Sequence, residues 1–192
     1  MKQAVPALSP LLRSNTQGDI LAILFLEPGR EWMLADIQRR TGANHSVVHR
    51  EIERLVRGGV VADRRIGRSR LVRAESGHEL FEPLSEIVLR AYGPRAMLAQ
   101  LLHKAEGVDA VYIYGSWAAR YMGEEGRSPR DIDVLVVGDA SRESLNRVAL
   151  ATEQQLAHEV NVTRISGSDW EASESLFLKT LRGRPLVEVP IS

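Results

Sequence analysis

Between Val111 and Val137 the chain spells a strand, a turn that opens a helix, and a second strand that begins with acids, an order that few folds accommodate. Val111-Tyr112-Ile113-Tyr114 has the composition of a buried strand, and Gly115-Ser116-Trp117-Ala118-Ala119-Arg120 that of a turn running into a helix. After a polar loop, Asp131-Ile132-Asp133-Val134-Leu135-Val136-Val137 starts with two carboxylates and becomes wholly apolar. A glycine at the end of a strand lets a phosphate approach the backbone, and the following hydroxyl and amides point donors at it. Asp131 and Asp133 are two apart on a strand, so both side chains leave one face with Cα atoms about 6–7 Å apart. Carboxylates so placed suit Mg²⁺ bridging to phosphate oxygens. Taken alone, an Asp-x-Asp also suits a strand start with exposed acids, and the Gly115-Ser116 turn beside it favours the ion site.

Gly115-Ser116 followed after a spacer by Asp131-x-Asp133 resembles the nucleotidyltransferase superfamily related to DNA polymerase β, over roughly residues 94 to 189. The resemblance implies that Gly115 and Ser116 carry the triphosphate of an NTP and that Asp131 and Asp133 hold Mg²⁺ or Mn²⁺. Small members of that family usually have Arg-Gly after Ser-x-Ala. Here Ala119 and Arg120 stand there, and the loop up to Asp131 is a few residues longer. The family's third carboxylate falls on Asn161 of Glu159-Val160-Asn161-Val162-Thr163. In two-metal transfer that carboxylate serves mainly the nucleophile's ion. Asn161 offers only a neutral carbonyl oxygen, so the expectation is a site of Asp131, Asp133 and Asn161 that binds NTP·Mg with slow or absent transfer. Arg120, Arg127 and Arg130 either reach phosphate from the helix and loop or are plain surface charge. Trp117 suits core packing at the helix start better than stacking on a base.

The net charge of zero conceals a split: residues 1–73 hold 13 Lys/Arg against 7 Asp/Glu, and residues 74–192 hold 12 against 18. A basic half is a hint of nucleic-acid contact. Cysteine is absent, which excludes a disulfide framework and thiolate metal sites. The apolar runs are strand-sized and the first residues lack a signal-peptide core, so a soluble cytoplasmic protein with no membrane segment is expected.

Within the basic half, residues 1–13 with Pro6 and Pro10 read as an irregular arm, and Ser14 as the cap of a helix to about Leu26 with Ile20, Leu21, Ile23 and Leu24 inward. Trp32-Met33-Leu34 leads into a short helix from Ala35 to Arg40, ended by Thr41-Gly42. A further helix from about His45 to Arg57 turns Val48, Ile52 and Leu55 to one side. Its other side offers His45, Ser46, His49, Arg50 and Glu53, flanked by Arg54 and Arg57. Val60 to Arg73 reads as a hairpin turning at Gly67-Arg68, with Arg64, Arg65, Arg68, Arg70 and Arg73 along it. Two short helices joined by a glycine-containing turn and followed by a basic hairpin resemble the winged helix of ArsR and MarR repressors, over about residues 14 to 75. The resemblance implies double-stranded DNA as a partner, contacted by Ser46, His49, Arg50 and Arg54 of the second helix and by Arg65, Arg68 and Arg70 of the wing. The alternative for those arginines is the solvated side of a hairpin. His45 and His49 lack a nearby acid or cysteine to complete a metal set.

Ser76-Gly77-His78-Glu79 has the form of a capping box, starting a helix to about Tyr92 with Phe81, Leu84, Ile87, Val88 and Ala91 on one face. Such a helix packs on a domain or pairs with its copy in a homodimer. Gly93-Pro94 ends it, and Met97, Leu98, Leu101 and Leu102 line the next helix, Arg95 to Ala105. Further on come a helix capped by Ser141, a strand from Glu159 to Ile165, a last helix opened by Ser168-Asp169-Trp170-Glu171, and a short strand at Pro185 to Val189. The expected fold is therefore α/β (α+β): a winged helix at 1–75, a linker helix at 76–93, and a mixed-sheet nucleotidyltransferase-like domain at 94–192. Three functions compete: a transcriptional regulator whose second domain binds NTP·Mg, an active nucleotidyltransferase autoregulated by its winged helix and acting on a protein or small molecule as antitoxin-type members do, and a module for protein contacts alone.

Overall fold

The computed structural model describes residues 6–124, 129–172 and 175–191. The chain is a mixed α/β protein with two separate sheets, and it divides into two compact units, Met1–Gly93 and Pro94–Ser192.

In the first unit, the Ser14 hydroxyl accepts from the Gln17 amide and so caps α1 (Asn15–Leu26), an interaction worth about 1 kcal/mol. Its inward residues include Ile20, Leu24 and Phe25, each fully buried and each worth roughly 1.5–3 kcal/mol in removed apolar surface. Strand β1 (Trp32–Met33) comes next, where the sequence had read only an approach to a helix. Its two residues pair with the later hairpin, a long-range contact with no local signature. Helix α2 (Leu34–Thr41) ends on Gly42 in the left-handed conformation, and α3 (His45–Arg57) follows within three residues. Strands β2 (Val61–Ile66) and β3 (Ser69–Ala74) close as a two-residue hairpin in which Gly67 has φ +58°. The sheet order is β1-β3-β2.

Helix α4 (Phe81–Tyr92) packs on α1 within this unit, with Phe81 stacked on Phe25 at 6.0 Å between ring centroids. The expected capping box is not made. Residues 76–80 form turns in which Glu75 accepts from the Gly77 amide and His78 from the Leu80 amide, so the helix starts five residues later than Ser76. The inward face moves accordingly: Val88, Leu89 and Tyr92 are buried, whereas Ile87 is 45% exposed.

The second unit opens with α5 (Pro94–Leu101), which buries Leu98, and continues through β4 (Ala110–Tyr114), α6 (Gly115–Tyr121) and β5 (Asp131–Val137). Then come α7 (Arg142–Leu156), capped by the Ser141 hydroxyl, and β6 (Glu159–Ile165). The last helix of the sequence reading is two short ones, α8 (Gly167–Ala172) and α9 (Leu176–Arg182). Ser166 caps the first of them, not Ser168: its hydroxyl accepts from the Asp169 amide and donates to the Asp169 carboxylate. Strand β7 (Val187–Glu188) completes a sheet of order β6-β5-β4-β7. β5 runs parallel to β6 and antiparallel to β4, and β7 pairs antiparallel with β4.

The sheet's two faces are covered unequally, and this positions the site. On one face Ile113, Ile132 and Val134 are buried, and α7 packs on both β6 and α5. On the other, Leu135, Leu178 and Leu181 form a small core with Tyr112, Tyr114 and Trp170 against it. That cover sits over the later part of β5. At the start of the same face Asp131 and Asp133 are half-buried and Asn161 is exposed.

Candidate functional site

Parallel pairing of β5 with β6 sets Asp131 opposite Glu159 and Asp133 opposite Asn161. The side-chain period of two then brings Asp131, Asp133 and Asn161 onto one face. The Asn161 amide nitrogen donates to Asp131 Oδ2 at 3.1 Å and to Asp133 Oδ1 at 3.3 Å. Each carboxylate thus turns one oxygen toward a common donor, a convergence that an electropositive group requires and that a cation would exploit. Burial pushes the Asp133 carboxyl above the usual carboxylate range and the charge of Asp131 adds to this, while the Asn161 hydrogen bond pulls it back.

Antiparallel pairing sets Tyr114 opposite Asp133, so the turn into α6 arises beside the carboxylates. Gly115 has φ +69°, and a Cβ placed there would lie 2.6 Å from Asp133 Oδ2. Glycine is favoured by its backbone conformation, and a side chain there would also displace the Asp133 carboxylate. Ser116, next in the chain, is exposed at the first turn of the seven-residue α6. Tyr114 donates to or accepts from Thr163 at 3.2 Å across the sheet and meets Phe177 edge-on at 6.2 Å.

The remaining residues expected here are dispersed. Trp117 is 1% exposed and lies edge-on to the buried His158 at 5.4 Å, a core position. Arg120 stacks its guanidinium over the Trp117 ring at 5.2 Å, and Arg130 is exposed one residue before Asp131. Arg127 lies outside the described residues. No group of three or more His, Asp or Glu side chains is placed to hold an ion among the described residues. Glu159 shares this face opposite Asp131, but the acids that converge on the Asn161 amide are the two aspartates. They fit a divalent ion that takes its remaining ligands from phosphate or water.

In the first unit, Ser46, His49 and Arg50 are exposed on α3, and Arg65 and Arg68 are exposed on the hairpin. Two of the arginines expected to face DNA are engaged elsewhere. Arg54 donates to Glu51 at 2.8 Å, and Glu51 is a carboxylate only 3% exposed that the apolar periodicity of α3 gave no reason to bury. Arg70 has a side chain only 14% exposed and is bonded to both Glu53 and Asp63. Arg64 makes a two-pronged pair with Glu31, its Nε donating at 2.6 Å. His45 and His49 lie 6.0 Å apart as rings, and although Glu53 Oε1 is 3.8 Å from His49 Nε2, no group of three such side chains is placed to hold an ion among the described residues.

No protein-family model matches the chain, and no curated protein matches it significantly. No helix among the described residues is long and apolar enough to cross a membrane.

Proposed function

We propose that the chain is a DNA-binding transcriptional regulator whose second unit has a nucleotidyltransferase fold that binds NTP·Mg with little or no transfer. The observation that carries this reading is the convergence of Asp131 and Asp133 on the Asn161 amide, beside Gly115 in the left-handed conformation against Asp133. Burial of Asp133, with the charge of Asp131 beside it, disfavours its ionised form more than the Asn161 hydrogen bond restores it, a penalty that a bound cation would relieve.

In such a site Asp131 and Asp133 would hold Mg²⁺ or Mn²⁺, which supplies charge neutralisation for the triphosphate. Gly115 and Ser116 would admit and bond phosphate oxygens, and Arg120 and Arg130 would add positive charge at its flank. Asn161 contributes no negative charge and cannot take a proton from an attacking hydroxyl, which is why binding without turnover is the expected state. The first unit contributes the helix pair α2 and α3, the latter offering exposed Ser46, His49 and Arg50, and a hairpin tip with exposed Arg65 and Arg68. This supports a winged helix laid into the major groove of a duplex. Such readers commonly act as dimers on paired half-sites, and a homodimer is part of the proposal.

The test is a calorimetric titration of each NTP with Mg²⁺ into the wild type and into Asp131→Asn with Asp133→Asn. Saturable binding that the double change removes while the thermal transition survives is the expected result. Equal affinity in both proteins overturns the site.

A further inference from the structure

On the hairpin, Val61, Asp63 and Arg65 alternate onto one face of β2, opposite Ala74, Val72 and Arg70 of β3. Val61, Val72 and Ala74 are buried, so this is the face turned to the interior of the unit, and Arg70 is directed inward with them. It stands directly opposite Arg65, a like-charge pair that would weaken the hairpin if left alone. The carboxylates of two other elements offset it. Arg70 Nε donates to Asp63 Oδ2 at 2.7 Å on β2, and Nη1 donates to Glu53 Oε1 on α3. Glu53 also lies 3.8 Å from His49 Nε2, one turn back along α3. Glu53 thus belongs to the helix face that carries His49 and Arg50, where an uncompensated carboxylate would repel a phosphate backbone.

Resting on the DNA-binding reading above, we infer that Arg70 is not a DNA contact but a positioning residue: it pins the groove helix to the wing through Glu53 and Asp63 and so sets sequence selectivity. The guanidinium suits this task because its planar fork serves two carboxylates at once in a fixed geometry, which an ammonium does not. Arg64 is exposed but paired with Glu31, so Arg65 and Arg68 are the hairpin's exposed arginines that make no salt bridge to a described residue.

Positioning and phosphate contact differ in what they do to binding. Losing a phosphate contact weakens all duplexes alike and lowers the salt slope by about one, whereas misplacing a helix weakens only those duplexes that its side chains read. The experiment uses two probes, a duplex enriched by the wild type from a random 20-base-pair pool and poly(dI-dC), across a salt series. Arg70→Ala is expected to lose about tenfold or more on the enriched duplex, less than about threefold on poly(dI-dC), and none of the salt slope. Adding Glu53→Gln to Arg70→Ala should cost the enriched duplex little more, because the contact that joins helix to hairpin is already broken. If Arg70→Ala does not fold, Arg70→Lys carries the same expectation at smaller size, since it keeps the charge but not the fork. Equal losses on both probes with a reduced slope would make Arg70 a phosphate contact and overturn the inference, as would unchanged binding to both. A wild type that enriches no duplex and binds neither probe removes the DNA-binding reading itself, and this inference falls with it.

Discussion

The two units treat charge in opposite ways. In the first, several arginines of α3 and of the β2–β3 hairpin are matched to acids: Arg64 to Glu31, Arg54 to Glu51, Arg70 to Glu53 and Asp63. In the second, two acids stand side by side on one strand, and what meets them at hydrogen-bonding distance is a neutral amide. No Lys or Arg among the described residues makes a salt bridge to Asp131 or Asp133. The difference teaches where ligands belong. Matched charges have spent their attraction within the fold and serve its geometry, as Arg70 does. Mutually repelling charges keep theirs for a partner. Among the hairpin's arginines, Arg65 and Arg68 are the two that make no salt bridge to a described residue.

The sharpest way to break that contrast is to add charge where the second unit lacks it. Asn161→Asp completes a three-carboxylate centre, which should raise label transfer from an NTP by about a hundredfold or more, in the range of a restored catalytic base and metal ligand. The gain should be larger with Mn²⁺ than with Mg²⁺. Pyrophosphate release at saturating NTP reads it, and robust wild-type turnover left unchanged by the substitution would transfer the third ligand to another residue and make the protein an enzyme.

Removing the exposed cations of the first unit comes next. Arg65→Ala with Arg68→Ala should weaken binding to specific and non-specific duplexes alike, by about tenfold or more at moderate salt, and reduce the salt slope by about two. Fluorescence anisotropy over a salt series measures both. A slope equal to that of the wild type would mean that the wing does not touch the backbone.

A smaller effect concerns stability. The Asp133 carboxyl is raised by its burial and by Asp131, so the folded chain holds that proton more tightly than the unfolded chain does. Its contribution to stability is therefore present in acid and lost as pH rises through the folded value, which makes ionised Asp133 a burden at neutral pH. Asp133→Asn should raise Tm at pH 7, and the gain should shrink as pH falls into the range where the unfolded carboxyl is itself protonated. The same substitution should abolish NTP·Mg binding. A drop in Tm at pH 7 would show that the carboxylate is structural.

The smallest effect is expected where a pair is matched and fully solvated. Glu31→Gln breaks the two-pronged contact with Arg64 on the outer face of the hairpin, yet exposed pairs contribute little, so the thermal midpoint should not move measurably. A clear fall would mean that the wing depends on its outer charges as much as on its inner ones.

Much of this was legible in the residues because it depended on local periodicity. The alternation in Val60 to Arg73 and the Gly67-Arg68 turn specified the hairpin, since only glycine accepts φ +58° there without strain. Asp131 and Asp133 share a face by strand geometry alone, and Ser14 and Ser141 cap helices by contacts within three residues. Local rules also misled where two candidates competed: Ser166 took the cap assigned to Ser168, and the turns after Glu75 displaced the box at Ser76.

Tertiary structure decided the rest, for a physical reason common to each case. Whether Asn161 meets both aspartates depends on β6 pairing parallel to β5 in one register, and a one-residue slip would send it to the opposite face. Trp32 and Met33 became a strand only because Val72 and Leu71 lay beside them. The inward turn of Arg70 required knowing which face of the hairpin meets the interior, and Glu51 is buried beside its own Arg54 within an otherwise amphipathic helix. A residue's type states which interactions it can make. Which of them it does make is set by neighbours distant in sequence, because pairing and burial are properties of the assembled surfaces and not of the segment that carries the side chain.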